Sequence, residues 1–171
     1  MGSGRCVWDD LKDFPWKSYE IMTVNDMVMH FPWTVSHAYS NDWEMLPKWV
    51  AARRPRYRLE YDVGIQLHSC HPCPGASLWD IPGNGTSSLG AVLVGQKLGY
   101  QKIVLAGVPL DGSGHYFDPP DGFDGSRKWS NFDREVSTRE NGQIRFWSGI
   151  VHDLSNVRSL SGRTRELLGP P

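Results

Sequence analysis

The sequence predicts an α/β protein with a mostly parallel sheet and helices on both faces of that sheet. Short apolar runs alternate along the chain with segments of helical pattern, which is the order of elements in such folds. An apolar run at 101–110 is nearly continuous, as expected of a central parallel strand. The length of 171 residues suits a single domain, residues 1–171.

The composition is that of a globular protein with almost no net charge. There are 18 basic and 19 acidic side chains, so the long-range field that nonspecific duplex binding relies on is missing. No apolar run approaches the roughly 20 residues that cross a bilayer, and the first residues do not read as a secretion signal. We therefore expect a cytoplasmic protein that neither spans a membrane nor binds duplex nucleic acid.

The first half of the chain alternates helices and strands. Its strands are apolar runs that end in polar residues, and one helix carries Pro47 near its first turn, where proline is tolerated. The predicted elements are a helix at 7–14, strands at 19–24 and 34–39, a helix at 43–53 and a strand at 62–68.

The second half opens on a polar loop rich in proline and glycine at 71–85. The clearest helix of the chain follows it, with Thr86 or Ser87 as its N-cap and Gly99 as its C-terminal stop. The predicted elements are a helix at 86–98, a strand at 101–110, a long loop at 111–130, a helical region at 132–153, a strand at 156–160 and a helical turn at 164–168.

Polar side chains follow the carboxyl ends of the predicted strands. Asn25 and Asp26 follow one strand, and Ser40 and Asn41 follow the next. In an open α/β sheet the ligand crevice lies along that edge. The sequence therefore predicts that these side chains converge on one site, together with the polar clusters at 68–71 and 111–118.

Two glycine-rich segments lead into predicted helices and are candidates for binding a phosphate. Glycine lets the backbone approach a phosphate closely, and the first N–H groups of a helix are free and carry partial positive charge. The alternative is that the glycines mark turns and that Thr or Ser only caps a helix. The candidate residues are Gly2, Ser3 and Gly4 in the first segment and Gly85, Thr86, Ser87 and Ser88 in the second.

The long loop carries the candidate catalytic residues Asp111, His115 and Tyr116. An imidazole that titrates near neutral pH beside carboxylates is suited to moving a proton. The alternative is a solvated loop in which Asp and Gly residues form turns.

The run His68-Ser69-Cys70-His71-Pro72-Cys73 offers zinc-type ligands. Its spacing is poor for wrapping one ion, and Cys6 is the only other thiol of the chain. We favour a small buried residue for Cys70 and crevice or surface positions for the two histidines, and no metal site. Three cysteines are also too few for a disulfide scaffold.

The segment GTSSLGAVLVGQKLGYQKIVLAGVPLDGSGHYFD, residues 85–118, resembles a stretch of bacterial sialyltransferases of the small single-domain type. Related pterin-pyrophosphokinase-like proteins and uncharacterised phage-borne proteins share its features. These are a Thr/Ser-rich helix start, an alanine-rich helix, a Leu-Gly-Tyr turn and a strand followed by Tyr-x-Phe-Asp. The closing segment VRSLSGRTRELLG is more similar to the phage-type relatives.

The resemblance implies a Rossmann-like fold and a nucleotide site. It implies that Gly2, Ser3 and Gly4 lie near a phosphate and that Asn25 faces the ribose or phosphate. Ser40 or Asn41 would follow the next strand into the same crevice. Ser87 and Ser88 would present hydroxyls and N–H groups to the ligand, and Tyr116 would stand over the nucleotide near the leaving group.

The function expected from these features is that of a sialyltransferase-like glycosyltransferase. It would use a nucleotide-activated sugar as donor, with no metal and no further cofactor. Two alternatives stay open. One is a non-catalytic nucleotide-binding module of the phage-encoded kind, because no histidine lies between Tyr116 and His152, where those sialyltransferases carry their base. The other is a pterin or nucleotide phosphotransferase, which would require magnesium.

Overall fold

A computed structural model describes residues 1–57, 64–82, 86–111, 113–118 and 143–171 of the chain. The chain forms two compact units. The first comprises Met1–Gly2 and Pro15–Tyr100, and the second comprises Ser3–Phe14 and Gln101–Pro171. That residues 1–171 form a single domain stays a prediction.

The helices of the described residues are short, apart from two of 11 and 12 residues. None of them is both long and apolar enough to cross a membrane. They are α1 (Val7–Lys12), α2 (Met27–His30), α3 (Leu46–Tyr57), α4 (Ser87–Lys97), α5 (Ile144–Gly149) and α6 (Gly162–Leu168), with 3₁₀ turns at Trp16–Ser18 and Val151–Asp153.

The first unit contains a four-stranded sheet in which every pair of neighbours is parallel. Val24 lies opposite Tyr39, and Tyr39 lies opposite His68. The carboxyl ends of these strands therefore meet along one edge. The strands, in their order across the sheet, are β1 (Met22–Val24), β2 (His37–Tyr39), β3 (Gln66–Ser69) and β4 (Ala76–Leu78).

Helices cover both faces of this sheet. Successive side chains of a strand point to opposite faces of the sheet, so the neighbours Ala38 and Tyr39 on β2 lie on different faces. Tyr39 packs in an apolar cluster with Ala91 of α4. Ala38 packs instead with Val28 of α2 and Leu46 of α3. The predicted α/β class, with parallel strands and helices on both faces, is confirmed.

The second unit contains two further parallel strands, β5 (Ile103–Leu105) and β6 (Val157–Ser159). The carboxylate of Asp10 on α1 holds the turn after β5, because its Oδ2 accepts from Gly107 N at 2.8 Å. The same oxygen accepts from Ser161 Oγ at 2.8 Å, which ties α1 to the residue that precedes α6. Burial raises the pKa of the neighbouring Cys6 thiol to about 11, so that this thiol stays protonated.

Three of the predicted elements differ from the structure. The loop predicted at 71–85 contains β4, because residues 76–78 find a parallel partner in β3 that no local pattern reveals. The strand predicted at 101–110 ends at Leu105, and Gly107 (φ 67°) and Leu110 (φ 51°) turn the chain through left-handed conformations. The predicted helical region at 132–153 is α5 and a 3₁₀ turn over 143–153, and its first part lies outside the described residues.

Arg53 of α3 is a fully buried cation, with no exposed side-chain surface. Its guanidinium donates to the carbonyls of Val28, Phe31 and Trp33, at and just beyond the end of α2. The last carbonyls of a helix lack intrahelical donors and carry partial negative charge. Arg53 therefore satisfies the end of α2 and fixes it against α3.

Replacing Arg53 by Met should lower the free energy of unfolding by about 3 kcal/mol, because three buried carbonyls lose a charged donor. Urea unfolding followed by circular dichroism measures the change. Lys48→Met, at an exposed position of the same helix, is the matched control and should stay within about 0.5 kcal/mol of the unmodified chain. Equal losses in the two variants would contradict this role for Arg53.

Candidate functional site

The carboxyl edge of the first sheet begins with Asn25, directly after β1. Its backbone lies in the left-handed region (φ 54°), which Asn tolerates better than most residues. The backbone N–H of Asn25 donates to Tyr39 O at 3.0 Å, so the turn is fastened to the end of β2. A non-glycine residue in this conformation is a local cost that often marks a functional turn.

Ser40 connects the ends of three strands. Its buried Oγ donates to Asn25 Oδ1 at 2.8 Å and accepts from Asp42 N at 2.9 Å, and its own N–H donates to His68 O at 3.3 Å. Because Ser40 occupies Oδ1 of Asn25, the amide nitrogen of Asn25 points the other way. That nitrogen has no partner among the described residues and remains available as a donor.

Asn41 links this edge to α4. Its N–H donates to Ser87 Oγ at 3.3 Å. Its Oδ1 accepts from the hydroxyl of Tyr39 at 2.6 Å and from the thiol of Cys70 at 3.5 Å. Since Ser87 Oγ accepts from Asn41, its hydroxyl hydrogen is free to bind elsewhere. The structure thus brings together Asn25, Ser40, Asn41 and Ser87, which the sequence placed at separate points of the chain.

Helix α4 begins at this edge with a capped first turn. Thr86 Oγ1 accepts from Leu89 N at 3.1 Å and lies 2.8 Å from Ser88 Oγ. Thr86 is thus the N-cap, one of the two residues predicted for that position. The N–H groups of Ser87 and Ser88 have no partner within the described part of the chain. Gly85, predicted to belong to this segment, lies outside the described residues.

Carboxylates lie beside these donors. Burial raises the pKa of Asp42, and the nearby carboxylate of Asp26 raises it further. The edge therefore offers two kinds of group. Amide, hydroxyl and helix N–H donors suit an anion, and the carboxylates of Asp26 and Asp42 suit the hydroxyl groups of a sugar.

A close approach between α4 and β2 holds the site in place. A Cβ added to Gly90 would lie 2.5 Å from Cζ of Tyr39, so only glycine leaves room for the ring. Burial raises the pKa of Tyr39 well above its usual value, which keeps the phenol protonated as the donor to Asn41. The sequence singled out neither Gly90 nor Tyr39, because each matters only through the other.

The second unit contains a histidine held on several sides. Nδ1 of His115 lies 2.7 Å from Oγ of the buried Ser3, and its backbone N–H donates to Asp118 Oδ2 at 2.7 Å. Its ring stacks on Phe117 with centroids 5.1 Å apart and planes 3° apart. Nε2 has no partner among the described residues. An imidazole oriented in this way, with one free nitrogen, is suited to proton transfer.

The other predicted residues of the second unit have local roles. Asp111 accepts from Ser113 N at 3.0 Å and closes its own turn. Tyr116 donates its N–H to Ser3 O at 3.0 Å, and its ring packs edge-on against Trp8. Asp118, rather than Asp111, contacts His115.

The segment predicted to cradle a phosphate is occupied with backbone pairing. Gly4 donates its N–H to Gly107 O at 2.9 Å and forms an antiparallel bridge with His115. Its N–H is therefore not available to a phosphate, and the hydroxyl of Ser3 faces His115. Gly2, in the first unit, is buried.

The thiols Cys6, Cys70 and Cys73 are free. No three His, Cys, Asp or Glu side chains within the described ranges gather in a way that could hold a metal ion. His68 is buried within the sheet and does not line a crevice, in contrast to one position expected for it. Comparison of the chain with protein-family models, curated proteins and solved structures finds no match.

Replacing Gly90 by Ala should destabilise the chain by about 1–2 kcal/mol, although Ala forms helices better than Gly by about 1 kcal/mol. The added methyl group overlaps Tyr39, which must leave Asn41. Gly149→Ala is the matched control, because a Cβ there meets nothing within 4 Å. It should be neutral or stabilising in the same thermal and urea unfolding measurements. A stabilising Gly90→Ala would contradict the close approach.

Proposed function

We propose that the carboxyl edge of the first sheet binds a nucleotide. The observation that carries the proposal is the convergence of Asn25 and Ser87 on one edge, each with a donor left over after its contacts within the protein. The free N–H groups that begin α4 add to these donors. Together they favour an anionic group over a neutral one.

The surroundings favour a phosphorylated sugar over a bare anion. Asp26 and Asp42 lie at the same edge, and Asp42 is partly desolvated. Carboxylates repel a phosphate but accept hydrogen bonds from hydroxyl groups, as at the ribose of dinucleotide-binding sheets. A ligand with its phosphate toward α4 and its ribose toward these carboxylates satisfies both sets.

We further propose that the chain is a glycosyltransferase-like enzyme that uses a nucleotide-activated sugar, as the resemblance of residues 85–118 implies. In the transfer step, the acceptor oxygen bonds to the anomeric carbon while the bond from that carbon to the phosphate oxygen breaks. The acceptor proton goes to a base. Within the second unit, His115 is the candidate for this base, because Ser3 and Phe117 orient its ring and Nε2 has no partner among the described residues.

Nucleotide binding is tested with the variants Asn25→Ala and Ser87→Ala. Each removes one donor to the ligand, so each should weaken affinity about tenfold, by titration calorimetry with nucleoside mono- and diphosphates. The nucleotide that binds best should also raise the melting temperature, and the rise should grow with the ratio of its concentration to its dissociation constant.

Ser148→Ala, at an exposed serine of the second unit, is the control and should bind as the unmodified chain does. If no nucleotide and no nucleotide sugar binds, both the proposed nucleotide site and the proposed glycosyl transfer are wrong. Equal affinities in all three variants would place the nucleotide elsewhere.

Transfer is tested with His115→Gln. The variant should bind nucleotide as before and release nucleotide from nucleotide sugars at least about 100-fold more slowly, because the base is lost. Chromatography of the released nucleotide measures the rate. The exposed His152→Gln should keep full activity.

The same assay separates the alternative functions. Binding without turnover in the unmodified chain indicates a non-catalytic nucleotide-binding module. Turnover that stops when a chelator removes divalent ions indicates a phosphotransferase, with Asp26 and Asp42 as the carboxylates nearest the ligand. Turnover that continues with His115→Gln removes His115 from the reaction.

A further inference from the structure

A continuous chain of hydrogen bonds crosses the first unit, from the carboxyl end of β4 to the segment before β1. Trp79 Nε1 lies 3.0 Å from His68 Nδ1, and His68 Nε2 lies 2.9 Å from His37 Nδ1. His37 Nε2 lies 2.9 Å from the hydroxyl of Tyr100, which bonds to Glu20. The chain joins β2, β3, the end of β4, the residue after the turn that ends α4 and the segment before β1.

The direction of every bond in this chain follows from its first member. The indole N–H of Trp79 can only donate, so His68 Nδ1 must accept and His68 carries its proton on Nε2. That proton is donated to His37 Nδ1, so His37 in turn carries its proton on Nε2 and donates to Tyr100. Both imidazoles are therefore neutral, and each has one defined tautomer.

The electrostatic environment agrees with neutral rings. Burial lowers the pKa of His68 to about 4, with a further lowering from His37. Burial also lowers the pKa of His37, which the carboxylate of Glu20 opposes. Among the described groups that face the two rings, Trp79 is uncharged and burial raises the pKa of Tyr100 to about 12. The carboxylate of Glu20 acts on His37, and His37 acts on His68.

An added proton cannot enter either imidazole without breaking a hydrogen bond of this chain. The ring nitrogens without a proton are His68 Nδ1 and His37 Nδ1, and each already accepts from an N–H. A proton on His68 Nδ1 would face the indole N–H at 3.0 Å, and a proton on His37 Nδ1 would face the N–H of His68 at 2.9 Å. In either case two N–H groups point at each other and neither has an acceptor.

The strand next to this chain of bonds is β4. It is the last strand of its sheet, and its side chains are mostly exposed, with Leu78 61% exposed. Beyond its pairing with β3, it is held by Trp79, whose backbone N–H donates to Ser69 O at 2.9 Å and whose indole donates to His68. Losing the indole bond therefore frees this edge first.

We propose that the Trp79–His68 pair is a latch that holds β4 on the sheet at neutral pH and releases it when His68 takes up a proton. The connection from β3 to β4 carries Cys70, which contacts Asn41, so release of β4 also loosens one support of the candidate site. The latch does not depend on what that site binds.

The latch is tested by hydrogen exchange of the amides in 76–79, corrected for the intrinsic pH dependence of exchange. If the open form has an ordinary histidine pKa of 6.5 and the closed form one of about 4, protection should fall about 30-fold from pH 8 to pH 5. The amides of α4 should keep their protection over the same range, because the release is local.

Two variants test whether the Trp79–His68 bond causes the pH dependence of protection. His68→Gln keeps an acceptor for Trp79 and a donor for His37 but cannot titrate, so its protection should be independent of pH. Trp79→Phe removes the indole donor and should lower protection about fivefold at pH 8. His152→Gln, at an exposed histidine, is the control and should behave as the unmodified chain.

The proposal is overturned if protection of 76–79 in the unmodified chain is the same at pH 5 and pH 8. It is also overturned if His68→Gln folds and retains the full pH dependence. If His68→Gln does not fold, Trp79→Phe decides: unchanged protection at pH 8 excludes the latch, and reduced protection supports it.

Discussion

The parallel pairing of β1, β2 and β3 is the constraint on which the candidate site depends. With Val24 opposite Tyr39 and Tyr39 opposite His68, the first residues beyond these strands emerge side by side. Ser40 converts this proximity into a fixed arrangement, because one buried hydroxyl bonds Asn25 and Asp42 while its N–H bonds the end of β3. A shift of register by one residue would turn these side chains to the other face of the sheet.

Helix α4 completes the edge through one close contact. Gly90 lets the helix approach Tyr39, and the phenol holds the amide of Asn41, whose backbone then reaches Ser87. The donors of the candidate site are therefore positioned by packing between α4 and β2. The same sheet contains a second polar system, the histidine chain from Trp79 to Glu20, which tolerates burial only because every ring nitrogen is matched.

In the second unit, hydrogen bonds within the protein engage residues that the sequence predicts to bind a phosphate. Glycine and serine at the start of the chain are typical of a phosphate-binding loop, yet Gly4 pairs with the turn after β5 and Ser3 holds the imidazole of His115. A histidine whose backbone, ring face and Nδ1 are all engaged presents a single nitrogen, and this preorganisation is what proton transfer requires.

Local patterns determined the α/β class, the helices around 43–53 and 86–98, and the polar residues that follow each strand, because periodicity, caps and apolar runs act over a few residues. Only the tertiary structure decided which of those polar residues meet. The pairing of β4, the contact of Gly90 with Tyr39, and the bond from Ser3 to His115 join residues that are distant in sequence, and no local signal encodes them. The tertiary structure also determines the histidine tautomers and the donors that stay free. The number of hydrogen bonds that a polar group can still make depends on the partners that it already has.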